Sequence, residues 1–168
     1  PTTGKEYFRF AFGKQGPTVN AATPLVFDDH LFVTASYGIG AQLQKISLKE
    51  ARSVWSDDQI MSSQYSTAVY HDGYLYGTHG REDVGTAQLR CVQARTGKGM
   101  WSQADFGVAH SILAGKHLLL LNSRGQLTLA IASPERFQKL HQHSVVRGTT
   151  LALPALSNGR LFLRTSNG

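Results

Sequence analysis

The chain is poor in charge and lacks the features that build disulfide frameworks and membrane spans. Its 168 residues include one cysteine, Cys91, so an internal disulfide is excluded. No apolar run reaches the length of about 18 residues that a membrane-spanning helix needs. Charged residues make up 17% of the chain and hydrophobic residues 41%, which is a globular composition. We therefore expect one domain with a buried core and no membrane span, with Cys91 as a small buried residue of a strand.

The sequence also lacks the clusters that carry catalysis, metal binding or nucleic-acid binding. The net charge is +6, but the basic residues are spread along the chain, whereas nucleic-acid-binding proteins gather theirs in patches. His141 and His143 would share one face of a strand, yet two ligands do not complete a zinc site. No serine stands in a Gly-x-Ser-x-Gly setting. We expect no nucleic-acid partner and no metal, and we favour a protein that is not an enzyme without excluding one.

A secretory leader is not visible at the start of the chain. The first residues, Pro1-Thr2-Thr3-Gly4, carry no charged side chain, and the apolar segment of a leader does not follow them. A mature or trimmed chain would look the same, so this feature does not decide where the protein resides.

What the chain does contain is a spaced repeat. An apolar pair, a short polar turn and an apolar strand follow one another in residues 24–33, and the same order returns three more times. The steps between matching leucines are 44, 43 and 43 residues. A fixed period in this range, made of strands, predicts the blades of a β-propeller. The matching leucines are Leu31, Leu75, Leu118 and Leu161.

Each repeat is predicted to form a four-stranded antiparallel sheet. The predicted fold class is therefore all-β: a β-propeller with about four blades of 43–44 residues. The segment around Phe8 aligns with the last strand of a blade, so we expect the chain to begin inside one blade and to end inside another. The predicted division is a blade tail at residues 1–14, blades at 20–57, 64–104 and 108–143, and a partial blade at 150–168.

Length variation among the repeats is concentrated in one loop of each blade. Loops of this kind line up on one face of a repeat protein, which is often the binding face. The candidate binding loops cover residues 36–41, 79–86 and 123–126, and we expect the charged run at residues 81–83 to be a solvated loop tip. The candidate binding residues in these loops are Tyr37, His79, Arg81, Glu82, Asp83 and Arg124.

The turn before the last strand of the second blade carries a family resemblance. Thr96-Gly97-Lys98, followed two residues later by Trp101, resembles the tryptophan-docking motif of the pyrroloquinoline-quinone-type (PQQ-type) propeller repeats. In that family the glycine permits a positive φ and the tryptophan packs between neighbouring blades. Trp55 and Phe8 are expected at the equivalent place in earlier repeats, and Leu140 in the third blade. The resemblance thus implies blade-docking roles for Trp55, Trp101, Gly97 and Phe8.

The resemblance extends to bacterial PQQ-like repeat proteins. These are related in fold to the quinoprotein alcohol dehydrogenases and to the propeller lipoprotein of the outer-membrane β-barrel assembly machine. It therefore implies a periplasmic or other extracytoplasmic home, although it does not imply a bound quinone. Quinoprotein dehydrogenases clamp the quinone with a vicinal disulfide, which Cys91 alone cannot make. They also hold Ca²⁺ with clustered oxygen ligands, and no such cluster is visible here, so we expect no cofactor.

Three hypotheses about function remain open at this point. The leading one is a non-catalytic propeller module that binds a protein or peptide partner. The first alternative is a quinoprotein-like dehydrogenase, or a relic of one, that uses PQQ and Ca²⁺. The second alternative is a propeller that binds a carbohydrate or another polymer, which the basic surface and Tyr37 permit.

An incomplete ring is a further expectation. About four blades in an open arc would leave sheet edges and apolar faces uncovered, which proteins avoid. We therefore expect a ring of eight blades, completed by repeats that are missing from this chain. The alternative is a head-to-tail ring of two copies, in which the strand of Phe8 in one copy completes the blade of Leu161 in the other.

Overall fold

The described part of the chain consists of β-strands and the turns that connect them. A computed structural model describes residues 3–14 and 20–166. Within those residues there are three four-stranded antiparallel sheets and one two-stranded sheet, so the all-β prediction is confirmed. No helix of the described residues is long and apolar enough to cross a membrane.

The strands follow the order of the chain within every sheet. The first sheet contains β1 (Leu25–Phe27), β2 (His30–Ala35), β3 (Gly40–Ile46) and β4 (Ala51–Asp57). The second contains β5 (Val69–His71), β6 (Tyr74–His79), β7 (Gln88–Gln93) and β8 (Gly99–Gln103). The third contains β9 (Ala109–Ala114), β10 (His117–Asn122), β11 (Gln126–Ile131) and β12 (Gln138–Ser144). The two-stranded sheet contains β13 (Ala155–Ser157) and β14 (Arg160–Phe162).

The hydrophobic core lies between consecutive sheets. One cluster joins the first and second sheets and includes Phe32 and Leu75, whereas the other joins the second and third sheets and includes Tyr76 and Leu118. Leu75 and Tyr76 are neighbours on β6 and point to opposite faces, as the two-residue period of a strand requires. The middle strand β10 contains four consecutive leucines, residues 118–121, because both of its faces are covered by neighbouring sheets. Cys91 is buried in the second cluster, as its strand pattern indicates.

The outer strand of each four-stranded sheet contains a β-bulge at the same place. Trp55 pairs with Leu43 and Trp101 with Cys91, and in each strand the residue just before the tryptophan is left without a partner. In the third sheet, His141 pairs with Leu129. The expectation that Leu140 would be the equivalent residue is therefore wrong by one position, because Leu140 is itself the extra residue of the bulge.

The segment at the start of the chain differs from its prediction. Residues 3–14 form no strand, and Phe8 lies half-buried there. The predicted last strand around Phe8 is not formed in this structure, since an outer strand exists only by pairing with a third strand and no described strand pairs with this segment. The predicted tail and partial blade also include residues 1, 2, 167 and 168, which lie outside the described residues.

Candidate functional site

One end of the sheets gathers the loops that join the second and third strands. These loops, which we name the loop face, cover residues 36–39, 80–87 and 123–125. Neighbouring strands run in opposite directions, so connections alternate between the two ends of a sheet. The connection between the second and third strands therefore lies at the same end in every sheet. The bridge between Ser63 and Gly80 ties the connection that enters the second sheet to the loop face.

Three of the predicted binding residues form one contact network on the loop face. The guanidinium carbon of Arg81 lies 4.3 Å from the ring centroid of Tyr37, which is a cation–π contact between the first and second sheets. Arg81 also donates to Asp83, with 3.0 Å between Nε and Oδ1, and this hydrogen bond lowers the pKa of Asp83. Gln64 Nε2 donates to Tyr37 Oη at 3.0 Å and to Asp83 Oδ1 at 3.1 Å.

Glu82 extends the network to the third sheet. Its Oε2 atom accepts a hydrogen bond from the backbone N–H of Val108 at 2.8 Å, and its own N–H donates to Gln64 Oε1 at 3.0 Å. Arg81 and Glu82 are half-buried. The expectation of a solvated loop tip fits Asp83, which is exposed, but not Arg81 and Glu82, whose side chains contact neighbouring loops.

His79 lines a shallow cavity of about 390 Å³ on the loop face, together with Tyr37 and Arg81. Its Nδ1 atom accepts the backbone N–H of Ser62 at 3.0 Å, so a neutral ring carries its proton on Nε2. Burial lowers the pKa of His79 to about 4, and the nearby charge of Arg90 acts in the same direction. His79 is therefore a neutral hydrogen-bond donor at ordinary pH.

The side chain of Arg124 is exposed, yet it is held by the backbone of the neighbouring segment. Its Nη2 atom donates to the carbonyl of Asp105 at 3.2 Å and to that of Phe106 at 3.1 Å, in the segment that connects the second and third sheets. It forms no ion pair with any residue of the described ranges. Arg124 therefore fixes this connection while leaving other guanidinium donors available.

The two tryptophans link consecutive sheets. Trp55 Nε1 donates to the carbonyl of Ala94 at 2.9 Å, and Trp101 Nε1 donates to the carbonyl of Ser133 at 2.8 Å. Each indole thus crosses from the outer strand of one sheet to the turn before the outer strand of the next. A Cβ on Gly97 would lie 2.6 Å from Ile60 Cδ1 and 3.4 Å from the Trp55 ring, so this turn has no room for a side chain.

Sequence reasoning missed two residues of these contacts. Gln64 connects Tyr37, Asp83 and Glu82, but it stands in a linker with no motif around it. Arg90 donates to the carbonyls of Gln59 and Ile60. Its signal was a charge between Leu89 and Cys91 in an apolar strand, since a charge there needs a specific partner.

No group of three or more His, Cys, Asp or Glu side chains that could hold a metal occurs among residues 3–14 and 20–166. His141 and His143 lie on the exposed outer strand β12. On the loop face, charged and aromatic side chains are fixed by contacts with neighbouring loops.

Consecutive four-stranded sheets, joined by tryptophan contacts and by cores between the sheets, define a β-propeller of PQQ-like repeats. The chain belongs to the family described as "Outer membrane protein assembly factor BamB", whose model matches residues 1–104. None of the curated proteins matches the chain in sequence.

Solved structures support the same assignment of the fold. BamB from Moraxella catarrhalis superposes with a TM-score of 0.67 at 16% identity, over 90% of this chain and 43% of that chain. The computationally designed Ika4 protein gives 0.66 at 13% identity, over 98% and 94%. A europium-containing methanol dehydrogenase gives 0.53 at 11% identity, over 80% and 27%. These likenesses confirm the predicted propeller fold, and the chain spans less than half of the BamB structure.

Proposed function

We propose that this chain is part of a non-catalytic propeller that binds a protein partner through its loop face, outside the cytoplasm. The family supports a protein partner, since its description names an assembly factor for outer membrane proteins. The observation that carries the proposal is the contact network that joins Tyr37, Arg81 and Glu82 across three sheets. A surface fixed in this way loses little conformational entropy when a partner binds.

The side chains of the loop face suit protein recognition. Tyrosine and arginine are enriched among the residues that dominate binding energy at protein interfaces. Here Tyr37 and Arg81 stack on each other, so both present a preorganised apolar and polar surface. His79 adds a neutral donor to the lining of the neighbouring cavity. We expect the partner to contact these side chains directly.

Site-specific photocrosslinking tests the use of this face. A photoreactive phenylalanine analogue would replace Tyr37, Asp83 or, as the matched control at the opposite end of the second sheet, Lys98. With a periplasmic extract, we expect defined protein adducts from positions 37 and 83 and none from position 98. Adducts from position 98 alone, or clear turnover in a dye-linked oxidation assay, would contradict the proposal.

We also propose that these sheets are part of a closed ring. The two-stranded sheet β13–β14 supports this idea, because it has half the strands of its neighbours and leaves Leu156 and Phe162 substantially exposed. Further repeats or a second copy could cover these residues. Light scattering distinguishes the versions: closure by a second copy requires twice the 18.4 kDa of this chain, whereas a monomer of that mass would exclude it.

A further inference from the structure

The grooves between consecutive sheets differ in their side chains. In the groove between the first and second sheets, which we name the first groove, the outer strand presents the short residues Gly99 and Ser102 on either side of Met100 and Trp101. In the groove between the second and third sheets, which we name the second groove, Lys139 and Gln142 stand at the equivalent positions of the ladder. Since both grooves have the same backbone, these longer side chains are not required by the fold, and such departures from a repeat are expected where function lies.

A chain of hydrogen bonds orients the polar wall of the second groove. Lys139 Nζ donates to Gln142 Oε1 at 2.9 Å, and Gln142 Nε2 donates to Gln126 Oε1 at 3.3 Å. Asn122 Nδ2 donates to the same Gln126 oxygen at 3.0 Å. The amide oxygens are therefore used within the wall, and the ammonium group of Lys139 keeps further donors for a ligand.

The charges that line the second groove favour an anion. They are those of Lys139 on β12, Arg124 on the loop face and Asp105 on the connecting segment. Within the described residues, neither Lys139 nor Arg124 has a carboxylate oxygen within 4.0 Å. A carboxylate in the groove would be attracted by both cations, and a charge-assisted hydrogen bond to either of them is about twice as strong as a neutral one.

The floor of the second groove is apolar. Phe106 and Phe137 meet edge to face, with ring centroids 5.9 Å apart and an interplanar angle of 86°. Both rings are half-buried. The groove has a volume of about 300 Å³, which is at the small end of ligand sites. It can therefore receive an apolar side chain next to the polar wall.

We propose that the second groove binds a carboxylate side chain and an adjacent apolar side chain of a protein partner. This proposal rests on the proposed function and adds the chemistry that the partner presents. Lys139 and Arg124 receive the carboxylate, and Phe106 and Phe137 receive the apolar side chain. The first groove, which has Gly99 in place of Lys139, does not bind such a segment.

Two capped dipeptides test the inference on the whole chain: N-acetyl-Phe-Glu-methylamide and its isosteric glutamine counterpart. Two-dimensional NMR spectra would record the side-chain amides of Gln126 and Gln142 together with the backbone amides. We expect shifts at these residues with the glutamate probe, and a dissociation constant at least about tenfold larger for the glutamine probe. Equal shifts from both probes, or no shift from either, would overturn the proposal.

Charge-reversed variants provide the matched comparison. Lys139→Glu should abolish the shifts, whereas Lys98→Glu, an equally exposed change near the outer strand of the second sheet, should leave them intact. Lys139→Gln removes the charge alone and should weaken binding about tenfold, so the test does not depend on tolerance of a charge reversal. Binding of glucuronate instead of the dipeptide would overturn the peptide assignment. Dipeptide binding without crosslinks at position 37 or 83 would place the failure in the proposed function alone.

Discussion

Arg90 and Arg124 make the same contact in successive sheets from different places in the repeat. Arg90, on β7, donates to the carbonyls of Gln59 and Ile60, the fourth and fifth residues after Trp55. Arg124 comes from the loop face and donates to the fourth and fifth residues after Trp101. These carbonyls follow the end of the outer strand, where the sheet no longer supplies their hydrogen-bond partners, and the arginine supplies one instead. The repeat thus preserves the contact although the position of the arginine changes.

The first prediction concerns these arginines. Arg90→Ala should destabilise the fold by about 1–3 kcal/mol, because it removes charge-assisted hydrogen bonds from a half-buried site. Arg124→Ala should cost less than about 1 kcal/mol, since its side chain is exposed. Urea unfolding measures both values, with the exposed Arg160→Ala as the control. If Arg90→Ala unfolds like the control, Arg90 does not hold the connection between the sheets.

The repeat made the fold predictable from the sequence, since the matching leucines and the two-residue period determine which strands are buried on both faces. Positions next to irregularities were not predictable. The bulge moved the third docking position from Leu140 to His141, because one extra residue shifts any alignment made by counting. Gln64 acts through contacts that arise only when the loops of the first and second sheets come together, and no local pattern reports such contacts.

The second prediction concerns the docking of Trp101. Its indole contacts Tyr76 and Phe137, with ring centroids 6.1 and 5.6 Å away, and donates to Ser133. Trp101→Ala should destabilise the fold by about 3 kcal/mol, the lower end of the range for aromatic deletions because the ring is partly exposed. The neighbouring bulge residue is the control, and Met100→Ala should change stability by less than about 0.5 kcal/mol. Similar melting temperatures for both variants would contradict docking.

The third prediction separates two costs at turn glycines. Gly97 and Gly115 both have positive φ, +72° and +59°, but only Gly97 has atoms near the Cβ direction, namely those of Ile60 and Trp55. Gly115→Ala should therefore show only backbone strain, about 1 kcal/mol. Gly97→Ala should cost more, because the new methyl group displaces Ile60 from the Trp55 ring. Chemical denaturation of both variants measures the difference, and equal losses would mean that the turn tolerates the methyl group.

The fourth prediction concerns the proposed absence of a cofactor. We expect PQQ and Ca²⁺, added together, to leave the melting temperature unchanged. The chain's single cysteine, Cys91, is buried and cannot form the vicinal disulfide of quinoprotein dehydrogenases. A ligand at 100 times its dissociation constant would stabilise the fold by about 2.7 kcal/mol, so binding would be visible. A quinoprotein dehydrogenase is the positive control, and a stabilisation that needs both additions would support the dehydrogenase alternative.

The last prediction concerns the dependence of stability on pH through His79. Burial lowers its pKa from 6.5 to about 4 in the folded protein, so between these values the unfolded chain binds the extra proton. His79 should therefore contribute stability above pH 6.5 that is lost as the pH falls towards 4. The change should be about 1–2 kcal/mol, after a discount for partial exposure. His79→Gln keeps an acceptor for the backbone N–H of Ser62 and has no proton to gain, so its urea midpoint should fall less steeply. Some pH dependence of stability should remain in the His79→Gln variant, because burial also lowers the pKa of His110. His143→Gln, on the exposed strand β12, should parallel the parent, and a His79→Gln curve that also parallels the parent would refute the assignment.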